Sequence, residues 1–154
     1  MAEFFYSKHF TKFRSPGAVW QKAVVGLKAI GLRELPNPWT PPFVVIPTSI
    51  ISKCLSNPHR IENILKPTLF KDIVSTGAIE FIVRSSAEAE TMDARGKFES
   101  RKAGPAASAI AKACAQLLRR QLRILGSREA KRVGLALVIQ EWRRVFQSMT
   151  SKAG

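Results

Sequence analysis

Basic residues dominate the short stretch at 118–132, which reads LRRQLRILGSREAKR. It holds six Arg or Lys residues, and Glu129 is its single acid. Guanidinium groups bind phosphate through paired hydrogen bonds, and the N-terminus of a helix offers unpaired N–H groups to an anion. The stretch therefore predicts an anion-binding tip. Its candidate ligands for phosphate or anionic lipid are Arg119, Arg120, Arg123, Arg128, Lys131 and Arg132.

A second interpretation of the same stretch stays open: the cations extend into solvent or pair with acids of a neighbouring protein. Arg128 and Lys131 fall at the predicted start of a helix, where a positive charge costs ~0.3–1 kcal/mol. That cost favours an external anion, but it does not distinguish RNA from lipid or from a carboxylate. We weigh the two interpretations equally.

Catalytic and metal-binding patterns are absent from the sequence. It contains no GxSxG, P-loop, GxGxxG or HExxH motif, and its two histidines leave little for acid–base chemistry. Cys54 and Cys114 lie far apart, so we expect two buried, reduced thiols rather than a zinc site or a disulfide. We predict no catalytic residue, no metal ligand and no cofactor.

The charge balance narrows the class of partner. The 154 residues carry 25 Lys or Arg against 11 Asp or Glu, which gives a net charge of +14. The hydrophobic content of 45% is that of a folded domain. A strongly positive folded domain favours polyanionic partners such as RNA, anionic lipid or an acidic protein.

The tip is expected at the end of a helical hairpin. Apolar residues follow helical spacing over 105–125 and again over 128–149, where Leu135, Val138, Trp142, Val145 and Met149 alternate by three and four. Gly126 and Ser127 between them supply a C-terminal glycine and an N-cap. So short a loop predicts an antiparallel pair.

Shorter amphipathic helices are predicted upstream, at 17–31, 48–55, 57–66 and 69–84, and a polar loop at 85–104. The segment AIEFIV also allows a strand, but its longer period fits a helix better. The chain divides into segments 1–47, 48–84, 85–104 and 105–150, and the predicted fold class is all-α.

The N-terminal segment is expected to contact something outside the chain. Residues 4–13 alternate aromatic and basic groups, and 35–47 (LPNPWTPPFVVIP) is an uncharged, extended, proline-rich strap. Five prolines between Leu35 and Ser52 rule out a regular membrane-spanning helix there. The candidate contacts with a partner or a membrane surface are Phe4, Phe5, Tyr6, Trp39 and Phe43.

These features predict a non-catalytic accessory subunit of a large mitochondrial inner-membrane complex, of the respiratory chain or ATP synthase. The first 33 residues, with six Lys or Arg and one acid, look like an import signal. The expected partners are other subunits and anionic lipid such as cardiolipin. The alternative is a structural protein of the mitochondrial ribosome that binds rRNA phosphates. A free-standing nucleic-acid-binding domain is a third possibility.

Overall fold

A five-stranded antiparallel sheet forms the centre of the computed structural model, which describes residues 4–7, 21–35, 41–65, 80–87 and 100–142. Its strands are β1 (Phe5–Tyr6), β2 (Phe43–Ile46), β3 (Phe81–Ala87), β4 (Ser100–Ala103) and β5 (Leu135–Glu141). Their order across the sheet is β1-β2-β5-β3-β4. All four segments expected from the sequence contribute strands to this one sheet.

Helices cover both faces of the sheet. They are α1 (Lys22–Glu34), α2 (Thr48–Cys54), α3 (60–65), α4 (Ala107–Leu125) and α5 (Ser127–Val133). The protein is therefore an α/β fold, and the prediction of an all-α fold is wrong.

The central strand β5 replaces most of the second predicted helix. The helix that follows Gly126 ends at Val133, and Gly134 then takes a left-handed conformation with φ 66°. Every residue of β5 is buried. Its Leu137 and Ile139 pack on one side of the sheet, while Val138 packs on the other. A strand covered on both faces carries a nearly continuous apolar run, here 135–139, which periodicity alone cannot distinguish from part of a helix.

The predicted strap and arm are also parts of the sheet. Within the strap, residues 43–46 form β2, which pairs with β5 through Val44 opposite Ile139. Within the arm, Phe5 and Tyr6 form β1 on the outer side of β2. Of the apolar side chains that we expected to contact a partner, Phe4, Phe5 and Phe43 are thus buried against the chain's own helices and strands.

Strand β3 replaces the end of another predicted helix. The expected helix at 69–84 fails at 81–84, which belong to β3, and its residues 69–79 lie outside the described part of the chain. The predicted polar loop at 85–104 is likewise wrong at both ends. Residues 85–87 complete β3, and Ser100–Ala103 form the edge strand β4.

Two apolar clusters, one on each face of the sheet, hold these layers together. The larger joins the sheet to α2, α3 and α4 through side chains such as Ile51, Leu65 and Leu117. Ala111 and Ala115 of α4 are fully or almost fully buried, and their small size lets the helix approach the strands closely. The smaller cluster joins the other face to α1 through Val25 and Ala29. The sheet is therefore the middle of three layers.

Helix α1 is fastened to β3 at an internal break. Gly26 has φ 81° and ψ 162°, which interrupts the helix. The Ser86 hydroxyl enters the break, donating a hydrogen bond to the Val25 carbonyl (2.8 Å) and accepting one from the Ala29 N–H (3.3 Å). The ammonium of Lys28 also donates to the Ser85 carbonyl at 2.9 Å. The side chain of Ser86 thus bridges the backbone groups that the kink separates.

Several expectations about the helices are confirmed. Residues 48–54 are helical as predicted, 60–65 are helical within the predicted 57–66, and α4 falls within 105–125. The helix expected at 17–31 is present from Lys22, but it continues past Gly31 to Glu34, so that glycine is not its stop. Gly126 ends α4 as predicted, but Gly126 rather than Ser127 is the N-cap of the next helix. The predicted antiparallel helical hairpin is wrong, because β5 takes the place of most of its second helix.

Candidate anion-binding surface

Helix α4 presents one basic face to solvent. Lys112, Arg119, Arg120 and Arg123 are all exposed, and their spacing of seven, one and three residues keeps them on neighbouring parts of the helix surface. The opposite face of α4 is buried in the larger apolar cluster. The helix therefore cannot rotate to hide its charges, and the cations have a fixed direction.

A buried polar contact fixes α4 in this orientation. Gln121 and Ser85 have no exposed surface, and the Ser85 hydroxyl donates a hydrogen bond to the Gln121 side-chain oxygen at 3.1 Å. Gln121 lies among Arg119, Arg120 and Arg123 in sequence but points inward. Because a buried polar group is costly to leave unpaired, this bond also specifies the register of the helix on β3.

Gly126 forms the corner that carries the basic surface from α4 onto α5. Its φ of 81° and ψ of 156° lie in a region that only glycine occupies readily. Its N–H donates to the Leu122 carbonyl at 2.7 Å, and its own carbonyl accepts the first hydrogen bond of α5 from the Ala130 N–H at 3.0 Å. The corner places the cations of α5 directly after those of α4.

All six sequence-predicted ligands are exposed: Arg119, Arg120, Arg123, Arg128, Lys131 and Arg132. With Lys112 they make up what we call the basic surface. Between Ala107 and Gly134 these seven cations face a single acid, Glu129. That carboxylate makes a paired contact with the guanidinium of Arg132, and the hydrogen bond raises the pKa of Arg132. Within this stretch of sequence the cations exceed the acids by six charges.

The structure adds a groove that the sequence did not indicate. It lies between α2 and α5, has a volume of about 260 Å³, and includes Ser49 and Ser52 on one side and Lys131 and Arg132 on the other. These two pairs are far apart in sequence, and only the packing of both helices beside β5 brings them together. No local motif could have revealed the groove.

The predicted partner or membrane contacts lie elsewhere. Phe4, Phe5 and Phe43 are at most 3% exposed, and Tyr6 is half-buried against the larger cluster. Trp39 lies outside the described residues. Burial leaves the three phenylalanine rings no free surface for another molecule, so they serve the core.

Exposed apolar surface is sparse in the described ranges. Leu27, Leu35 and Ile124 are the large apolar side chains that are exposed there, at 40%, 49% and 42%. Among the helices of these ranges, none combines the length and the apolar character needed to cross a bilayer. The available surface is therefore charged rather than apolar.

The cysteines belong to the core. Cys54 and Cys114 are both buried and free, which confirms the predicted reduced thiols, and burial raises the pKa of each thiol. Among the residues that the structure describes, no group of three or more His, Cys, Asp or Glu side chains could hold a metal ion.

No family model and no curated protein matches this chain. The five-stranded sheet shows that the prediction of a helical subunit is wrong. The predicted mitochondrial or ATP synthase role has no support from a family or a relative.

Proposed function

We propose that this chain is a non-catalytic RNA-binding domain that attaches to RNA phosphates through its basic surface, as a structural part of a ribonucleoprotein particle. The supporting observation is the run of seven exposed cations over α4 and α5, which share their stretch of sequence with one carboxylate and are fixed on a packed α/β core. Of the three roles expected from the sequence, this one corresponds to the structural protein of the mitochondrial ribosome. The mitochondrial compartment stays a prediction.

The dimensions of α4 suit a nucleic-acid backbone. From Lys112 to Arg123 the helix advances about 16 Å, at ~1.5 Å per residue. A strand in duplex form carries one phosphate per ~3.4 Å of helix axis, so this face spans about five phosphates. Of the four exposed cations within that length, Lys112 lies at one end and the other three at the other end, at 119, 120 and 123. The face is therefore long enough to contact phosphates at both ends of such a span.

The distribution of apolar groups favours RNA over a membrane surface. A helix that lies in a lipid interface inserts its apolar face among the acyl chains. The apolar face of α4 is instead packed on the sheet, and Ile124 is the one large apolar side chain of α4 that is exposed. Contact through this surface would rest on charge alone.

The membrane-complex hypothesis loses its main sequence argument for the same reason. It depended on an apolar strap and an aromatic arm that needed an external partner, and their described parts are strands of the sheet. The net positive charge still favours anionic lipid, but it favours RNA equally. A direct comparison of the two ligands can decide between them.

The test measures binding of the full chain to a fluorescently labelled RNA hairpin, by anisotropy, over a series of KCl concentrations. Binding through phosphates makes the affinity fall with salt, with a logarithmic slope of ~0.7–0.9 for each phosphate neutralised. The variant changes Lys112, Arg119 and Arg123 together to Gln. We expect its slope to fall by about 2–3 relative to wild type.

A matched control removes the same number of charges elsewhere. Lys53, Arg60 and Arg101 are exposed on α2, α3 and β4, and none belongs to the basic surface. Their triple Gln variant should keep most of the wild-type slope. Equal losses in the two triple variants would show that only net charge matters and would refute a defined surface.

Sedimentation with cardiolipin-containing vesicles supplies the lipid comparison. We expect RNA to compete the chain off such vesicles at moderate salt, because binding to lipid lacks an inserted apolar face. Retention on vesicles that excess RNA does not reverse would favour the membrane-complex hypothesis over the RNA one.

A further inference from the structure

The groove between α2 and α5 continues the basic surface into a concave site. Lys131 and Arg132 belong to both features, since they line the groove and complete the row of cations on α4 and α5. Across from them, α2 presents Thr48, Ser49 and Ser52. Ile51 and Leu135 lie along its floor. The groove thus combines cations and hydroxyls with an apolar base.

The chemistry of the lining favours an anionic ligand whose oxygen atoms accept hydrogen bonds from hydroxyl groups. Among the described residues that line it, the charged side chains are both cations and none is a carboxylate. Lys131 is exposed and can donate from an ammonium, while Arg132 keeps part of its guanidinium occupied by Glu129. The Ser52 hydroxyl donates to the Ser49 carbonyl at 3.0 Å, which leaves Ser49 as the exposed hydroxyl donor of α2.

The size of the groove limits the occupant. Its volume of about 260 Å³ lies just below the ~300–1,000 Å³ of sites for whole small molecules. One phosphate with an attached sugar fits such a space, whereas a duplex can only pass over it. The sugar would rest on the apolar floor at Ile51 and Leu135, and the phosphate would face Lys131 and Ser49.

We propose that this groove binds a single ribose phosphate of an RNA strand, held by Lys131 and Ser49, as an anchoring point at the end of the basic surface. The proposal rests on the proposed function, because the occupant is taken to be a unit of the same RNA. A headgroup phosphate of a lipid shares the phosphate chemistry but lacks the ribose.

The test uses NMR of the isotopically labelled full chain with three probes: uridine 5′-monophosphate, uridine and glycerol 3-phosphate. We expect uridine 5′-monophosphate to shift backbone amides at 48–55 and 130–135, and uridine to leave them unchanged. Glycerol 3-phosphate should bind more weakly because it lacks the sugar ring. A glycerol 3-phosphate affinity equal to or above that of the nucleotide would overturn the ribose assignment.

Two matched variants place the binding in the groove. Ser49→Glu puts a negative charge into the groove that Lys131 also lines, and Ser100→Glu puts the same charge on the exposed edge strand β4. We expect Ser49→Glu to weaken nucleotide binding by about tenfold or more and RNA binding by several-fold, and Ser100→Glu to change neither by more than about twofold. Unchanged thermal unfolding of both variants excludes a loss of folding as the cause.

The outcomes separate this proposal from the proposed function. If the nucleotide shifts no amides in the groove, or Ser49→Glu binds it like wild type, the groove proposal is refuted. RNA binding that still depends on Lys112, Arg119 and Arg123 would then leave the proposed function standing. If the triple Gln variant at those positions binds RNA with the wild-type salt slope, the proposed function fails whatever the groove does.

Discussion

Replacing Gly26 by Ala tests how α1 is fastened to the sheet. A Cβ atom built on Gly26 would lie 2.2 Å from the Ser86 hydroxyl oxygen, 2.6 Å from the Ser86 carbonyl carbon and 2.7 Å from the Ala87 nitrogen. Two of these three neighbours are backbone atoms of β3, which cannot rotate aside. The substitution therefore requires α1 to move away from the strand.

The expected cost has three parts. A non-glycine residue at φ 81° and ψ 162° costs about 1–3 kcal/mol. Overpacking against β3 costs about 1–3 kcal/mol. If α1 lifts, the Val25 carbonyl and the Ala29 N–H lose the Ser86 hydroxyl that bridges them, at about 1–3 kcal/mol for a buried group left unpaired. These three costs do not add fully, because a movement of α1 that relieves the overpacking breaks the hydrogen bonds to Ser86. We therefore expect a total loss of stability of about 3–5 kcal/mol.

The assay is equilibrium unfolding in urea, with Gly31→Ala as the control in the same helix. Nothing lies within 4 Å of a Cβ built on Gly31, and that residue continues α1. Its replacement should stabilise the protein by about 0.5–1 kcal/mol, because alanine loses less entropy in a helix. The two substitutions should thus act in opposite directions.

The comparison with Ser86→Ala shows which part dominates. Loss of the hydroxyl alone should cost about 1–3 kcal/mol. In the double variant, the closest clash disappears but the two backbone contacts remain, so the combined cost should be less than the sum. The described docking of α1 would be refuted if Gly26→Ala lowered the free energy of unfolding by less than about 1 kcal/mol. It would also be refuted if Gly26→Ala and Gly31→Ala changed that free energy equally.

Two further predictions concern the corner and the core. Gly126→Ala should cost about 1–3 kcal/mol from backbone strain alone, because nothing lies within 4 Å of its Cβ position, and urea unfolding measures it; a cost near zero would contradict the conformation given to the corner. Cys114 has a pKa raised by burial, so its contribution to stability is complete below the unfolded thiol pKa of about 8.5 and falls as pH rises above it. The contribution of Cys114 to the slope is up to about 1.4 kcal/mol per pH unit. Cys114→Ala should therefore make a series of unfolding curves less dependent on pH, while Cys54, whose pKa burial also raises, keeps a part of the dependence. An unchanged slope would show that Cys114 ionises equally readily in the folded and unfolded protein.

Local sequence signals identified the helices whose ends are marked by residues that stop a helix. Gly126 marked the end of α4, and the alanine-rich start of α4 has high helix propensity. The same reasoning failed for 135–141, where a continuous apolar run admits either a helix or a strand. At 43–46 the extended backbone was predicted correctly, but its place in the sheet was not. Both outcomes depended on neighbours in the sheet, and strand pairing joins residues as distant as Val44 and Ile139.

The candidate site was partly visible in the same way. The six cations at 119–132 share one short stretch, so their proximity follows from the chain itself. Ser49 and Ser52 carry no such signal, because a serine on an exposed helix face has no distinctive neighbours in sequence. Their position opposite Lys131 exists only once α2 and α5 pack beside β5.

The sequence by itself determined the positive charge, the buried thiols, the helix α4 and the corner that follows it, since each depends on composition or on residues a few positions apart. The tertiary structure alone decided the layer order, the burial of Phe4 and Phe5 and the existence of the groove. The physical reason is that a strand obtains its hydrogen bonds and its burial from distant partners, whereas a helix satisfies its backbone locally.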